Sequence, residues 1–403
     1  MKILIVHNRY RTSAPSGEDA AVQNERQMLE AQGEDVSVFE RCNDEIGESG
    51  FLAKAALAIN TVWSHRSRVE FRQVLLRDRP DVVHVHNTFA LISPSIYGVC
   101  KETGIPVVQT LHNFRFFCPS ALFLRDGKPC EDCVDRSLVQ SVRHRCYRGS
   151  ASATATLAAM LTIHRALGTY AEDIGTYIVL TEFARDKAIK GGIPAHKLVV
   201  KPNFLPAPPR AGNGDGGYVL YVGRLLEGKG TETLVRAWRH LPDVKLKIIG
   251  DGALREDLER IVRRENLNVE FAGRQNRDAV LSAISRAQIL IVPSDCYEGF
   301  PMVVAESFAC GTPVLASRIG SLNELIVDGL TGKKFTPGDS NDLAVAVRLL
   351  LEDPNALARM RGSTREFFDA NLTESQNYAQ LANIYSRITA STNSLAPLVS
   401  SDR

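Results

Sequence analysis

Short, mainly apolar runs alternate with longer stretches of helical periodicity along this chain. In the first half, segments 3–6, 35–39, 81–85, 107–111, 177–180 and 198–200 are predicted strands, and 20–32, 51–79 (one or two helices) and 151–167 are predicted helices. Strands this rich in apolar residues, joined through helices, predict a parallel sheet covered on both faces. Thr181 ahead of Glu182-Phe183-Ala184 is an N-cap. The second half repeats the scheme with strands at 218–222, 245–249, 269–272, 289–292 and 313–316, a helix over 277–287, and a mostly helical 342–388. Between the halves, Pro206, Pro208, Pro209, Gly212, Gly214, Gly216 and Gly217 mark the sharpest break in composition. The expected domains are therefore 1–205, with a cysteine-rich insertion at about 116–148, and 218–370, joined by a linker at 206–217. A C-terminal helix at 371–390 is expected to pack back on the first domain, and 391–403 to be a disordered tail.

The stretch 295–311, D-C-Y-E-G-F-P-M-V-V-A-E-S-F-A-C-G, follows a buried strand. Pro301 at a helix start and Gly311 beyond its end place Glu298 on a strand-to-helix loop and Glu306 on the helix. In an open parallel sheet, ligands bind outside the carboxyl ends of the strands, so both carboxylates point toward a crevice. Carboxylates suit the vicinal hydroxyls of a ribose or sugar ring, and the helix start suits an anion such as a diphosphate. The bland alternative is a solvated helix with incidental acids.

Gly223 to Thr231, G-R-L-L-E-G-K-G-T, nearly matches the phosphate loop G-x-x-x-x-G-K-[ST]. Gly230 stands where the magnesium-binding hydroxyl belongs, which demotes a P-loop NTPase. Arg224 and Lys229 can instead clamp a diphosphate as two fixed cations. The opening strand lacks G-x-G-x-x-G, although Gly17 in the loop at 8–19 can admit a ligand to the backbone. His112 follows a strand's carboxyl end, where an imidazole can bond a sugar hydroxyl or a developing phosphate charge. His84 and His86 are expected to be structural.

Composition narrows the class. The chain has 403 residues, 44% hydrophobic and 23% charged, with a formal net charge of +2, so bulk charge implies no nucleic-acid partner. No apolar run is long enough for a membrane span or signal peptide, and a cytoplasmic protein is expected. Lys54, Arg66, Arg68, Arg72, Arg77 and Arg79 lie beside Phe51, Leu52, Leu57 and Trp63. A solvated face is the first reading; peripheral contact with an anionic membrane, at its inner face, is the second. Cys118, Cys130, Cys133 and Cys146 offer four thiolates for a structural zinc, with four reduced thiols as the alternative.

Together, G-R-L-x-x-x-K-G at 223–230, G-D-G at 250–252, P-S-x-x-x-E-G-F-P at 293–301, Glu306 and G-T-P-V at 311–314 resemble the retaining family-4 glycosyltransferases. The phrases H-V-H-N-T-F and T-L-H-N-F-R followed by cysteines are similar to a bacterial branch making surface polysaccharide. Where that branch often carries Gly-Gly-Glu-Asp, this chain has Ser16-Gly17-Glu18-Asp19. The resemblance implies a GT-B fold, with two Rossmann-like doubly wound domains facing across a cleft, acceptor-side first and donor-binding second. It implies donor contacts from Gly17, Gly223, Arg224, Lys229, Gly250, Glu298, Gly299, Phe300, Pro301, Met302 and Glu306. Catalytic roles fall to His112, Arg224, Lys229 and Glu298. It further implies a nucleotide-sugar donor, a saccharide or lipid-linked acceptor, and no catalytic metal. The diphosphate oxygen itself would take the acceptor proton. A GT-B-shaped sugar-nucleotide epimerase is the alternative within enzymes.

Overall fold

The computed structural model describes residues 1–13, 16–47 and 50–395, with side chains as far as Ser391. Two compact units emerge. The first comprises Met1–Leu122, Glu131–Pro202 and the chain from Ser375; the second comprises Phe123–Cys130 and Asn203–Glu374.

The first unit is built on β1 (Lys2–Arg9), β2 (Asp35–Cys42), β3 (Val82–Asn87) and β4 (Val107–Leu111). A two-residue hairpin, β5 (Leu124–Arg125) with β6 (Lys128–Pro129), comes next in the chain and belongs to the second unit. Strands β7 (Thr176–Val179) and β8 (Leu198–Val200) complete the first sheet, ordered β2-β1-β3-β4-β7-β8 and parallel throughout. Ile3, Leu4, Ile5 and Val6 are all buried, because helices cover both faces of β1. The long segment 51–79 forms two helices, Phe51–Val62 and His65–Asp78, separated at Trp63-Ser64, with Ser64 capping the second.

The second sheet comprises β9 (Val219–Val222), β10 (Leu246–Ile249), β11 (Val269–Gly273), β12 (Leu290–Val292), β13 (Val314–Ser317) and β14 (Gly332–Phe335). Its order, β11-β10-β9-β12-β13-β14, reverses direction between β9 and β12. The first sheet reverses between β1 and β3. Such switch points open the crevice that binds ligands in doubly wound sheets. The second core centres on Trp238, fully buried, with Nε1 donating to Val244 O at 2.8 Å. A buried side chain of that size contributes more than the ~1.5–3 kcal/mol typical of a buried aliphatic.

The Pro/Gly-rich stretch at 206–217 runs along the second unit. Gly212 N donates to Cys310 O at 2.9 Å and Gly216 N to Arg286 O at 2.8 Å. Helix Glu374–Leu395 packs into the first unit, where Tyr385 Oη lies 2.7 Å from His84 Nδ1. The expected tail at 391–403 falls beyond the described residues after Leu395. The cysteine-rich segment carries the hairpin and two short helices, Asp132–Asp135 and Val139–Arg143, where the sequence showed little pattern. Glu131 pairs there with Lys187 and Lys190 at 2.5 and 2.8 Å.

Candidate active site

In the second unit, the loops after β9 and β12 meet at the switch point. Asp295 N donates to Gly228 O at 2.9 Å, tying one loop to the other. Lys229 and Glu298 face each other across this junction at 2.6 Å. Ser294 Oγ donates to the same Glu298 oxygen at 2.7 Å, and Ser321 Oγ to the Glu298 carbonyl at 2.8 Å. Burial pushes the Glu298 carboxyl up, but Lys229 and Ser294 outweigh it and hold it below the usual range. Burial likewise pulls the Lys229 ammonium down, and Glu298, then Cys296, more than reverse this. Both groups are thus charged at neutral pH.

Gly230 explains the broken phosphate-loop pattern. It sits at φ +67° immediately before helix Thr231–Ala237, and a Cβ there would stand 1.7 Å from the Pro293 carbonyl oxygen. A Ser or Thr does not fit where the β9 and β12 loops touch. Gly250 has a similar reason: a Cβ on it would lie 1.8 Å from Gly223 O. Gly223 N in turn donates to Ile249 O at 3.0 Å.

Arg224 is exposed beside this pair, its carbonyl held by Tyr221 Oη at 2.9 Å. Gly299, Phe300 and Pro301 lead into helix Met302–Ala309, with Pro301 as its N-cap and Phe300 buried. Glu306 faces out of that helix half-buried. Burial raises its carboxyl above the usual range, and Arg277 offsets this only in part. Two carboxylates in one unit therefore differ: Glu298 is tied to a cation, and Glu306 is not. The hairpin β5–β6 leans on the same region, with the Phe123 ring edge-on to Tyr297 at 6.0 Å and Leu124 against Gly228.

In the first unit, Gly17 opens helix Gly17–Ala31, capped by Ser16. Asp19 N donates to Ser16 Oγ at 3.2 Å and Ser16 N to Asp19 Oδ2 at 3.1 Å, a capping box that a second glycine would not make. Ala14 and Pro15, part of the loop expected at 8–19, lie outside the described residues. Asp19 also lies 2.8 Å from His7 Nε2. Glu18 accepts from Asn113 Nδ2 at 3.0 Å, while its Oε1 is buried with no hydrogen-bond partner. Burial pushes this carboxyl up to about 7. His112 stands just past β4, its Nε2 2.9 Å from His86 Nδ1. His86, His112, Asn113, Arg115 and Phe89 line one recess, with the Arg115 guanidinium 4.4 Å above the Phe89 ring.

Sequence reasoning missed Ser294 and Ser321, which hold Glu298, and Glu18, Asn113 and Arg115 beside His112. Ser294, Glu18, Asn113 and Arg115 lay inside motifs already singled out; Ser321 depends on a contact between segments 23 residues apart. Among the described residues, Cys118, Cys133 and Cys146 of the first unit form no group of three ligand atoms within 4.8 Å of one another. Among the described residues, Glu25, His84 and His86 form the one group of three or more His, Cys, Asp or Glu ligand atoms within 4.8 Å of one another. Cys130 falls in the second unit and Cys118, Cys133 and Cys146 in the first. Among the described residues, no helix is long and apolar enough to cross a membrane.

Residues 16–203 match the family described as glycosyl transferase 4-like domain, and 209–367 match glycosyl transferases group 1. Glycogen synthase of Mycobacterium tuberculosis is 28% identical over 400 residues, covering 91% of this chain and 90% of that one. Sucrose-phosphate synthase from Thermosynechococcus elongatus superposes with a TM-score of 0.73 at 21% identity, over 97% of this chain and 99% of that one. Anabaena Alr3699/HepE in complex with UDP-glucose gives 0.69 at 17% identity, over 96% and 100%. Two family matches spanning nearly the whole sequence, two Rossmann-like sheets, and an Arg–Lys–Glu cluster at a switch point converge. This chain is a GT-B glycosyltransferase of the family 4 type, a transferase of class EC 2.4.

Proposed function

We propose that the protein transfers a sugar from a nucleoside-diphosphate sugar to a saccharide or lipid-linked acceptor in cell-surface polysaccharide synthesis, retaining the anomeric configuration. The observation that carries this reading is the Lys229–Glu298 pair at the β9/β12 switch point, with Arg224 beside it. Two fixed cations neutralise the departing diphosphate. Glu298, ionised and held by Lys229 and Ser294, suits a ligand for sugar hydroxyls and not a covalent nucleophile. Glu306, without a paired cation, takes the ribose hydroxyls. The departing diphosphate oxygen receives the acceptor proton, and His112 contacts the sugar. The likeness to HepE, which was solved in complex with UDP-glucose, supports a nucleotide-sugar donor.

Titration calorimetry with UDP, GDP, ADP and magnesium-ATP tests the assignment. Diphosphate binding that falls about tenfold or more in Lys229→Ala is expected. Tight magnesium-ATP binding without diphosphate binding would return the chain to the NTPase reading. Donor conversion with no acceptor requirement would favour the epimerase. Peripheral contact with an anionic membrane rests on Phe51, Leu52 and Ile59, all well exposed on helix Phe51–Val62. Its basic neighbours are mostly paired: Arg66 with Glu70, Arg68 and Arg72 with Glu102, and Arg77 with Asp78. Sedimentation with phosphatidylglycerol vesicles checks it, and no co-sedimentation at low salt sinks it.

A further inference from the structure

Behind the first unit's recess lies a buried chain of side chains that the reaction described above does not use. Its bearing on activity rests on the reading that His112 contacts the sugar. Glu25 comes from helix Gly17–Ala31, His84 and His86 from β3, and Lys201 follows β8. Lys201 Nζ donates to Glu25 Oε2 at 3.2 Å and to Asn377 Oδ1 at 2.8 Å. Glu25 Oε1 lies 3.0 Å from His84 Nδ1 and 3.2 Å from His86 Nε2. His84 is engaged elsewhere, with Tyr385 Oη 2.7 Å from Nδ1 and Thr110 Oγ1 2.8 Å from Nε2. His86 Nε2 and Glu25 Oε1, by contrast, are both buried without an aligned hydrogen-bond partner. They lie 3.2 Å apart.

The charge states settle where the protons go. Burial pushes the Glu25 carboxyl up, but Lys201, then His84 and His86, outweigh it and hold it well below the usual range. Burial, then the neighbouring His84 ring, pulls His86 down to about 3. Burial, then His86 and His7, holds His112 well below the usual imidazole range. Both rings are neutral, with one proton each. An ionised carboxylate oxygen only accepts. A proton on His86 Nδ1 would leave the Nε2 lone pair aimed at that anion in a site closed to water. A proton on Nε2 instead puts a positive N–H 3.2 Å from that carboxylate, which is the favourable electrostatic arrangement. His86 Nδ1 is then bare, and the 2.9 Å contact to His112 Nε2 requires that nitrogen to donate. His112 spends its single proton inward. A divalent metal on Glu25, His84 and His86 is disfavoured, because the Lys201 ammonium already occupies that carboxylate.

We propose that Glu25 and His86 are positioning residues that set the tautomer of His112, so that its half-exposed ring offers a bare Nδ1 to the recess. A bare nitrogen accepts from a sugar hydroxyl and repels a phosphate oxygen, which decides between the two partners open to an imidazole at this position. The test is a two-bond proton–nitrogen correlation spectrum of the full chain labelled on histidine, at pH 7.5, with His112→Ala identifying the His112 signals. His112 protonated at Nε2 and bare at Nδ1, with His86 also protonated at Nε2, is expected. The opposite His112 tautomer, or an imidazolium pattern, overturns the proposal. In His86→Leu the bare-Nδ1 form of His112 is expected to fall from about nine-tenths to about half, and His86→Asn, which keeps an acceptor near the old Nδ1, to restore it. An unchanged His112 pattern in a folded His86→Leu protein also overturns it. Should His112→Ala leave sugar transfer intact, the sugar-contact reading fails, and the wild-type spectrum still judges the tautomer.

Discussion

The two units each hold a lysine–glutamate pair, and the pairs differ in what surrounds them. Glu25 and Lys201 are 7% and 3% exposed, and their remaining valences are taken by His84, His86 and Asn377. Glu298 and Lys229 are 15% and 23% exposed, with Ser294 and Arg224 on one side and solvent on the other. The same chemistry therefore serves two ends. A closed pair has no exchangeable partner and can only orient its neighbours, whereas an open pair can trade its lysine for a ligand's phosphate. Salt-bridge counts would score them alike; access to a third group separates them.

Breaking each pair should expose the difference. Lys201→Met leaves a carboxylate buried without its cation, and a loss of about 3–5 kcal/mol is expected in denaturant unfolding of the first unit. Lys229→Met should cost less than Lys201→Met, because Glu298 keeps Ser294 and is 15% exposed against 7% for Glu25. Diphosphate binding should respond in the opposite order, nearly unchanged in Lys201→Met and lost in Lys229→Met. Equal stability losses would erase the distinction. Glu25→Gln combined with Lys201→Met should recover part of the loss, which a simple packing defect would not allow.

A third carboxylate sharpens the comparison because no cation sits on it. Glu18 titrates near 7 in the folded protein, against 4.5 for an ordinary glutamate, since burial disfavours its charge. The folded state therefore holds this proton more tightly than the unfolded chain. Its contribution is fully present below about pH 4.5 and is lost as pH rises through about 7, by up to about 3 kcal/mol. Glu25 contributes with the opposite sign, its stabilisation being present above pH 4.5 and lost on acidification. Glu18→Gln should flatten the unfolding profile between pH 5 and 8 and raise stability most at pH 8. A variant whose profile parallels the wild type would show that the group titrates normally.

These contrasts also mark how much was legible in the sequence. Strands such as β1 and β12 were, because burial on both faces demands unbroken apolar runs. The meeting of Lys229 with Glu298 was as well, because both lie on short strand-to-helix connections within one unit, with Glu306 on the helix that follows. Glu25 and Lys201 are 176 residues apart, and Glu25 sits on a helix whose polar residues look solvated. The cysteine segment was treated as one insertion, yet residues 123–130 go with the second unit, a division set by tertiary contacts that local composition does not record.

Gly230 tests whether the open pair depends on its loop. Gly230→Ser restores the phosphate-loop hydroxyl but drives a side chain into the Pro293 carbonyl at positive φ. A loss of about 2 kcal/mol in the second unit is expected, with weaker diphosphate binding and no gain of magnesium-ATP binding. A stable variant that binds magnesium-ATP would show that the loop tolerates a phosphate-loop geometry and that the Lys229–Glu298 arrangement is incidental.

Glu306 gives the smallest expected effect and the cleanest one. It is half-buried, raised by burial and offset only in part by Arg277, so the folded protein gains little from its charge. Removing it in Glu306→Ala should leave the unfolding free energy within about 0.5 kcal/mol of wild type. If its carboxylate accepts the ribose hydroxyls, the same variant should weaken UDP by about tenfold, near 1.4 kcal/mol, and leave inorganic pyrophosphate binding unchanged, because pyrophosphate has no ribose. Lys229→Ala should weaken both ligands. Equal weakening of UDP and pyrophosphate in Glu306→Ala would mean that the carboxylate acts on the phosphates through the field of the site. The open lysine–glutamate pair would then be one part of a single electrostatic cluster and not a phosphate grip separate from a hydroxyl reader.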